Sequence, residues 1–532
     1  APRRPVEDPA FDLVQWLGFY GPVSRRFIAA TLDLSPDEAD ALLDPLLDDG
    51  TLIAGALIQS CDDEMICRSD VYESLVRRWR RGRRRETPIL PVQTLVPFLA
   101  RHQGLTDPAD NRNAFMDRLH QLAAYPAPAD LWETDILQDR CRRYHAEWLD
   151  GGLRDSGILW LGSGHRRICF LNDADRDLLD PSMFTSSSED DESGFVLEPV
   201  EERIRGLFRD PGARYDFSAL LERCDLTSAA LMDLLWEAAW RGMVTTDTFE
   251  TLRRGLAVSF KPLVLTQAPD TGRGIPGRSD DAPPGTGAAG GLRRRSLRRR
   301  FQTWRQSMPF PGNWYRLPEI PVPDTPMDRE EILRDRARLV LDRYGVVFRE
   351  LLDRELPGFR WRDLFDALRI MELSGEIMAG LFFHGIPGIQ FASPAALRLL
   401  ETRLESSETA RIYGLNALDP ASVCGLGLDG LPGDLPDRRP GNRLVYRGGS
   451  PVLWVENRGR SLTFHIRPDD RDLPAVLDHL AEPMDRAVMP VTKLTVQSIN
   501  GEPADQSPYL DVMKTRFDVD AGGGKIVLYR RL

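Results

Sequence analysis

Arginines set beside tryptophans are the residues of this sequence best suited to chemistry. That chemistry is contact with nucleic acid, with guanidinium groups on phosphates and indole faces on bases. One set is Arg360, Trp361, Arg362 and Arg369, with Arg349 on the helical segment before it. A second is the run Arg293 to Arg295 with Arg298, Arg299 and Arg300, followed by Trp304 and by Trp314 near Arg316. A third is Arg77, Arg78, Arg80, Arg81, Arg83, Arg84 and Arg85 around Trp79. Each has an ordinary reading too, as a solvated basic face with its tryptophan packed in a core. Both readings stand for all three sets. Elsewhere comparable helices argue against DNA contact. The one holding Asp37, Glu38, Asp40, Asp44 and Asp48 carries no base and would repel phosphates, and Thr227 to Trp240 has neither Lys nor Arg.

The totals narrow the field. Net charge is −12 over 532 residues, which excludes a general cationic coat but not local stripes. Hydrophobic content of 42% with 28% charged residues is that of a soluble globular chain with room for several domains. No apolar run has the length of a membrane helix, and no signal peptide pattern stands at the start. The chain begins at Ala1 rather than Met, as expected of a piece of a longer protein. Cys61 and Cys67 lack the neighbours of a zinc site, so no metal is expected, and scattered cysteines favour the cytoplasm. Gly522-Gly523-Gly524-Lys525 lacks the spacing and hydroxyl of a phosphate-binding loop, and no DEAD-like acidic box stands on a strand, since Asp62-Asp63-Glu64 sits in a wing. The chain is therefore expected to bind no ATP, and it has neither G-x-S-x-G nor H-E-x-x-H.

Periodicity and cap chemistry supply the elements that would carry these side chains: Ser35 and Glu38 have the spacing of a capping box, Thr227 suits the N-cap of a helix to Trp240, and 128–141 reads as helical. From Met327 to Pro394 the spacing of Asp328 and Glu331 predicts a capping box, and Leu333, Ala337, Val340, Leu341 and Tyr344 share a helical face. A second helix over 347–356 and a third from Arg360 to near Gly375 follow, then strands around 377–383 and 389–392. Three helices and a hairpin make a winged helix. An apolar helix, a glycine and a short apolar strand recur in LLDPLLDDGTLIAG, EWLDGGLRDSGILWLG, LLWEAAWRGMVTTD and LRIMELSGEIMAG, pivoting on Gly50, Gly157, Gly242 and Gly375. The expected fold is mostly α with β, tandem winged-helix modules followed by a small C-terminal β-barrel with one helix. The boundaries are 1–88, 89–183, 195–262 and 311–408 for winged helices and 409–532 for the barrel, with a disordered Gly/Pro-rich linker over 263–310.

Several stretches resemble the C-terminal region of the large helicase-related (Lhr) family of bacterial superfamily 2 DNA helicases. They are Tyr344 to Leu351 (YGVVFREL), Gly380 to Pro394 (GLFFHGIPGIQFASP), Val244 to Phe249 (VTTDTF) with Leu252-Arg253, Gly312-Asn313-Trp314, Leu418 to Ala421 (LDPA) and Asn500 to Pro503 (NGEP). The likeness runs in order over nearly the whole chain. Departures are Asn313, where the family has Arg, and Ser422-Val423-Cys424 after LDPA. The resemblance implies a DNA-binding and oligomerisation region of an ATP-dependent 3′-to-5′ helicase tied to DNA repair. Partners would be single-stranded or forked DNA, further copies in a tetramer, and the parent's own motor, which holds ATP and magnesium outside this chain. It implies a cytoplasmic, nucleoid-associated protein with no membrane contact.

The arrangement also resembles winged-helix DNA glycosylases, whose QxQ or QxD motif follows a helix like Arg101-His102-Gln103-Gly104-Leu105. The segment Gln121 to Asp135 shows no such pair. Excision needs a group to hold and activate water beside an extruded nucleotide. Asp419, His465, Gln390 and Asp518 have suitable chemistry, and no spacing singles one out. Three functions remain open: DNA-binding helicase region, DNA glycosylase for damaged bases, and pure protein-interaction scaffold.

Overall fold

Four glycines that end helices adopt positive φ, at 77° for Gly50, 67° for Gly157, 67° for Gly242 and 83° for Gly375. Only a residue without Cβ reverses the chain there without strain, so each apolar helix turns at once into its strand. A computed structural model of the chain describes residues 9–58, 63–83, 89–180, 200–260, 311–321, 323–402 and 411–531. The expected linker and the arginines at 293–300 lie outside those residues.

Two compact units form, Ala1–Pro88 with Arg369–Ile377, and Ile89–Leu368 with Met378–Leu532. In the first, the helix Pro36–Asp48 opens with the capping box foreseen for Ser35 and Glu38. Strands Leu52–Gly55 and Met65–Arg68 pair antiparallel, with Val23–Ser24 on the other side. Leu13, Leu17, Ile28, Leu43, Leu52 and Ile66 make the core.

In the second unit, residues expected as separate second and third modules share one core, from Phe115 and Trp160 through Leu235 and Trp240 to Trp314. A Cβ on Gly162 would lie 1.9 Å from the Ala239 carbonyl oxygen, so this close approach admits only glycine. Val244–Thr246 pairs with Trp314–Arg316. The segment assigned to the start of the fourth module therefore completes the sheet of the third. In the fourth, helix Pro326–Tyr344 is capped by a box between Thr325 and Asp328 rather than Asp328 and Glu331. Its wing strands Met378–Gly380 and Gln390–Ala392 pair as foreseen, with Val346–Val347 added.

The expected barrel takes another form. Ile412–Asn416, Arg443–Arg447, Ser450–Glu456, Ser461–Phe464, Ser498–Ile499 and Glu502–Pro503 make a six-stranded sheet. Lys493–Val496, Lys525–Arg530 and Phe517–Gly522 make a second. Helix Leu473–Asp485 buries Val476, Leu477, Leu480 and Met484 in the core with them, and neither sheet closes on itself among the described residues.

The helix expected over 128–141 is one turn, Ala129–Leu131, followed by a π-helix, Trp132–Ile136. Residues two apart on a helix do not share a face, so its two buried acids point to different neighbours. Glu133 accepts from Arg253 at 2.7 and 2.8 Å, and from the Tyr144 hydroxyl. Asp135 accepts from Arg443 at 2.5 Å and Asn416 at 3.2 Å. One short turn thus joins helix Glu250–Ala257 to the C-terminal sheet.

Beside it, Arg443 also donates to Asp139 at 2.9 Å and Glu482 at 3.2 Å. Burial drives the Asp139 carboxyl well above the usual carboxylate range; Arg443 opposes the rise, and Glu482 and Asp135 add to it. Burial would raise Glu482 as well, but Arg443 and His479 outweigh it and bring it to about 2. The Asp139 Oδ2 is buried without a partner. Folded Asp139 therefore keeps a proton that an unfolded aspartate releases near pH ~3.9. Its contribution to stability is complete below that pH and is lost as pH rises through the higher folded value. Asp139→Asn should remove this loss, giving thermal melts flatter with pH and a midpoint at neutral pH no lower than wild type. A variant that melts lower at neutral pH than at mildly acid pH, as wild type should, would contradict the assignment.

Candidate nucleic-acid interface

The fourth module carries the arginines expected to meet DNA, and its local structure sorts them. Arg349 begins the short helix Arg349–Leu352, its side chain 71% exposed and its nearest acid Asp353 at 3.6 Å. Arg362, in the first turn of helix Trp361–Ser374, is 76% exposed and 3.4 Å from Asp363. Such exposed pairs contribute little stability, so either cation can exchange its partner for a phosphate at small cost. Arg360 is half-buried and donates from Nε to the Glu355 carbonyl at 3.1 Å. Trp361 is half-buried against Phe365 and Phe391, with centroids at 5.3 and 5.9 Å. Arg369 belongs to the first unit and pairs there with Glu73 at 2.5 Å, while Arg77 pairs with Glu73 and Glu372.

Trp314 does not offer a face to a base. It is 1% exposed and packs edge-on against Trp236 at 5.3 Å, because its strand closes the core of the third module. Arg298, Arg299, Arg300 and Trp304 lie outside the described residues.

Among the residues weighed for excision, Gln390 is fully buried. Its Oε1 accepts from the amides of Phe382 and Phe383, and its Nε2 donates to the Phe383 carbonyl. It holds the wing. His465 stands edge-on to Trp454 at 4.9 Å, and burial lowers its pKa against the pull of Asp434. Asp518 is exposed on a C-terminal strand, paired across the sheet with Tyr529. These side chains sit in separate elements and form no common site.

Asp419 is 0% exposed and forms a two-pronged ion pair with Arg140 at 2.7 and 2.9 Å. Its Oδ1 also accepts from the Ala421 amide at 2.8 Å. Arg140 donates further to Gln103 at 2.7 Å and to the Ile136 carbonyl at 2.9 Å. The helix of the glycosylase resemblance, around Gln103, and one stretch of the helicase-family resemblance, around Asp419, thus meet at one arginine that no sequence pattern singled out. The same loop is gripped twice more. Arg354 donates to the Ser422 carbonyl at 2.9 Å, and Arg438 to the Ala417 carbonyl at 2.8 Å and the Tyr125 hydroxyl at 2.7 Å. Tyr125 in turn donates to the Leu418 carbonyl at 2.6 Å. With both oxygens engaged and no solvent access, Asp419 clamps segments together instead of activating water.

Residues 90–172 and 326–412 match two profiles described as large helicase-related protein, winged-helix domain, the third and fourth such domains. The chain is 26% identical over 497 residues to "Lhr helicase/uracil glycosylase" of Escherichia coli, covering 86% of this chain and 30% of that protein. It is 27% identical over 481 residues to "Lhr helicase/ probable uracil glycosylase" of Mycolicibacterium smegmatis, covering 86% and 29%. The chain thus spans under a third of these curated relatives. A DNA glycosylase structure, AlkZ of Streptomyces sahachiroi, aligns over 77% of this chain and all of that one at 12% identity and a TM-score of 0.42.

Breaking the buried pair separates a clamp from a catalyst. Asp419→Asn strands the Arg140 cation and should lower unfolding free energy in urea by about 3–5 kcal/mol, while replacing both residues by apolar ones should cost far less than the two single changes together. An Asp419→Asn protein of unchanged stability would show that the clamp is misassigned.

Proposed function

This chain is a winged-helix region of the large helicase-related family, and on that premise we propose that it is the C-terminal DNA-binding and oligomerising part of an ATP-dependent DNA helicase acting in repair. The motor, with its ATP and magnesium, belongs to the length that the curated relatives have beyond this match. The observation that carries the reading is the pair of exposed, loosely held guanidinium groups of Arg349 and Arg362 on one winged helix, in a chain of net charge −12. Their positions match the use of phosphate contacts by a locally basic face on an acidic protein. Among the described residues no helix is long and apolar enough to cross a membrane.

A second reading, base excision, is favoured by the names of the two relatives, both of which join helicase to uracil glycosylase. Of the four candidate groups, His465 and Asp518 remain within reach of a substrate, whereas Asp419 and Gln390 do not. A tetramer in the bacterial cytoplasm, on the nucleoid, completes the proposal.

Binding of single-stranded and forked DNA against salt tests the first reading. Exchanging both arginines, Arg349→Glu with Arg362→Glu, should weaken binding and reduce the slope of log affinity against log salt by about 1.4 on single strands and about 1.8 on duplex. An unaltered slope would place the interface elsewhere, and no binding by wild type at low salt would leave only the scaffold. Incubation with a uracil-containing duplex tests the second reading: an abasic product that tracks this chain supports it, and intact substrate ends it. Light scattering at micromolar concentration should give four chains.

A further inference from the structure

The wing of the fourth module ends in apolar side chains that the fold leaves uncovered. Leu381 is 58% exposed and Ile389 39%. Ile89 is 56% exposed and stands just before the short strand Leu90–Pro91, which pairs with Phe383–His384. The three are neighbours on one ladder. Leu381 and Ile389 follow outward from the cross-strand pair Gly380–Gln390, and the Leu90 amide donates to the Phe382 carbonyl at 2.8 Å.

The tip is held stiffly. It reverses at Gly385 and Gly388, with φ of 93° and 81°, where a side chain would be strained. Behind it the buried Gln390 accepts from the Phe382 and Phe383 amides at 3.0 and 2.9 Å and so fastens one wing strand to the other. Apolar groups presented on a fixed tip lose little further freedom on meeting a partner.

The surroundings select that partner. Residues two apart on a strand share a face, so Ile389 lies on the side of Phe391, against which Trp361 packs with centroids 5.9 Å apart. Arg362 follows Trp361, and Arg349 follows the strand Val346–Val347, which pairs with Phe391 and Ala392. Exposed guanidinium groups and an apolar tip thus belong to one small module. Phosphates for the first and a bare apolar face for the second occur together where a DNA duplex opens or ends. Leucine and isoleucine are among the residues that proteins wedge between base steps. Inside a continuous duplex a wedge must first unstack a step. Where the duplex opens, one face of the last base pair is already bare, and that cost falls away.

We propose that Leu381, Ile389 and Ile89 form a wedge that seats against the last base pair of an opened DNA duplex. The inference rests on the DNA-binding reading of Arg349 and Arg362 and adds the form of DNA that their module takes.

The test uses the whole chain and two DNAs with the same paired stem. One is closed by a loop at each end, and the other lacks one loop and so ends in a bare base pair. Wild type should bind the open form about tenfold tighter, within the range of contact with one base face. Leu381→Ser with Ile389→Ser should bring the two affinities together and leave the salt slope unchanged, because an apolar contact releases no counterions. Arg349→Glu with Arg362→Glu should instead weaken both forms and lower the slope on both. Thermal melts establish that the variants fold, and Leu381→Ser alone, at the most exposed of the three positions, serves if the double serine change does not. Equal binding of both forms by wild type overturns the wedge and leaves the DNA-binding reading standing, as does a preference that survives the serine changes. Binding of neither form, nor of single strands, overturns both. A smaller assembly by light scattering after the serine changes, with the preference for the open form intact, would make the tip a contact between copies and overturn the wedge.

Discussion

The buried ion pair between Arg140 and Asp419 is the constraint on which the second unit depends. Removing a charge from water is costly unless a partner charge and further hydrogen bonds compensate it. Here Asp419 comes from the loop after the first strand of the C-terminal sheet and Arg140 from the segment after the π-helix, with Gln103 accepting a further bond from the guanidinium, whose Nε alone is buried without a partner. Arg354 of the fourth module and Arg438 collect the loop's carbonyls. Any slip between these segments would strand at least one buried cation, so one arrangement is favoured over near alternatives by the cost of the others.

The π-helix extends the same logic to the third module. Its wide turn sets Glu133 toward Arg253 and Asp135 toward Arg443, both largely shielded from water. Asp139 and Glu482 show the consequence of crowding acids around a single arginine, since one holds its proton and the other loses it readily. The fourth module, which carries the exposed Arg349 and Arg362, is tied to this frame through Arg354 and the Asp419 loop. What the frame does not consume includes the exposed guanidinium groups of Arg349 and Arg362 on one winged helix.

Local physics was legible where the chain decides alone. Ser35 and Thr227 cap the helices expected of them, and the wing of the fourth module pairs as its alternation predicts. Failures came where the partner is distant. Trp314 beside an arginine looks like a stacking residue, yet its strand partner is Val244–Thr246, some seventy residues back, and the pairing buries it. The apolar alternation after residue 411 announces strands but not how they associate, since one parallel pairing, Ser461–Phe464 with Ser498–Ile499, sets the six-strand order. A regular helix was expected across 128–141 because composition does not register an inserted π turn.

By itself the sequence determined the kind of element, the pivot glycines, the family resemblance and which arginines are numerous enough to matter, because helical period, cap chemistry and positive φ are properties of neighbouring residues. Only the tertiary structure decided which charged groups are spent on internal pairs and which stay free. Arg140, Asp419 and Gln390 look as available on paper as Arg349 and Arg362. Burial distinguishes them, and burial is set by contacts between residues up to about 300 positions apart.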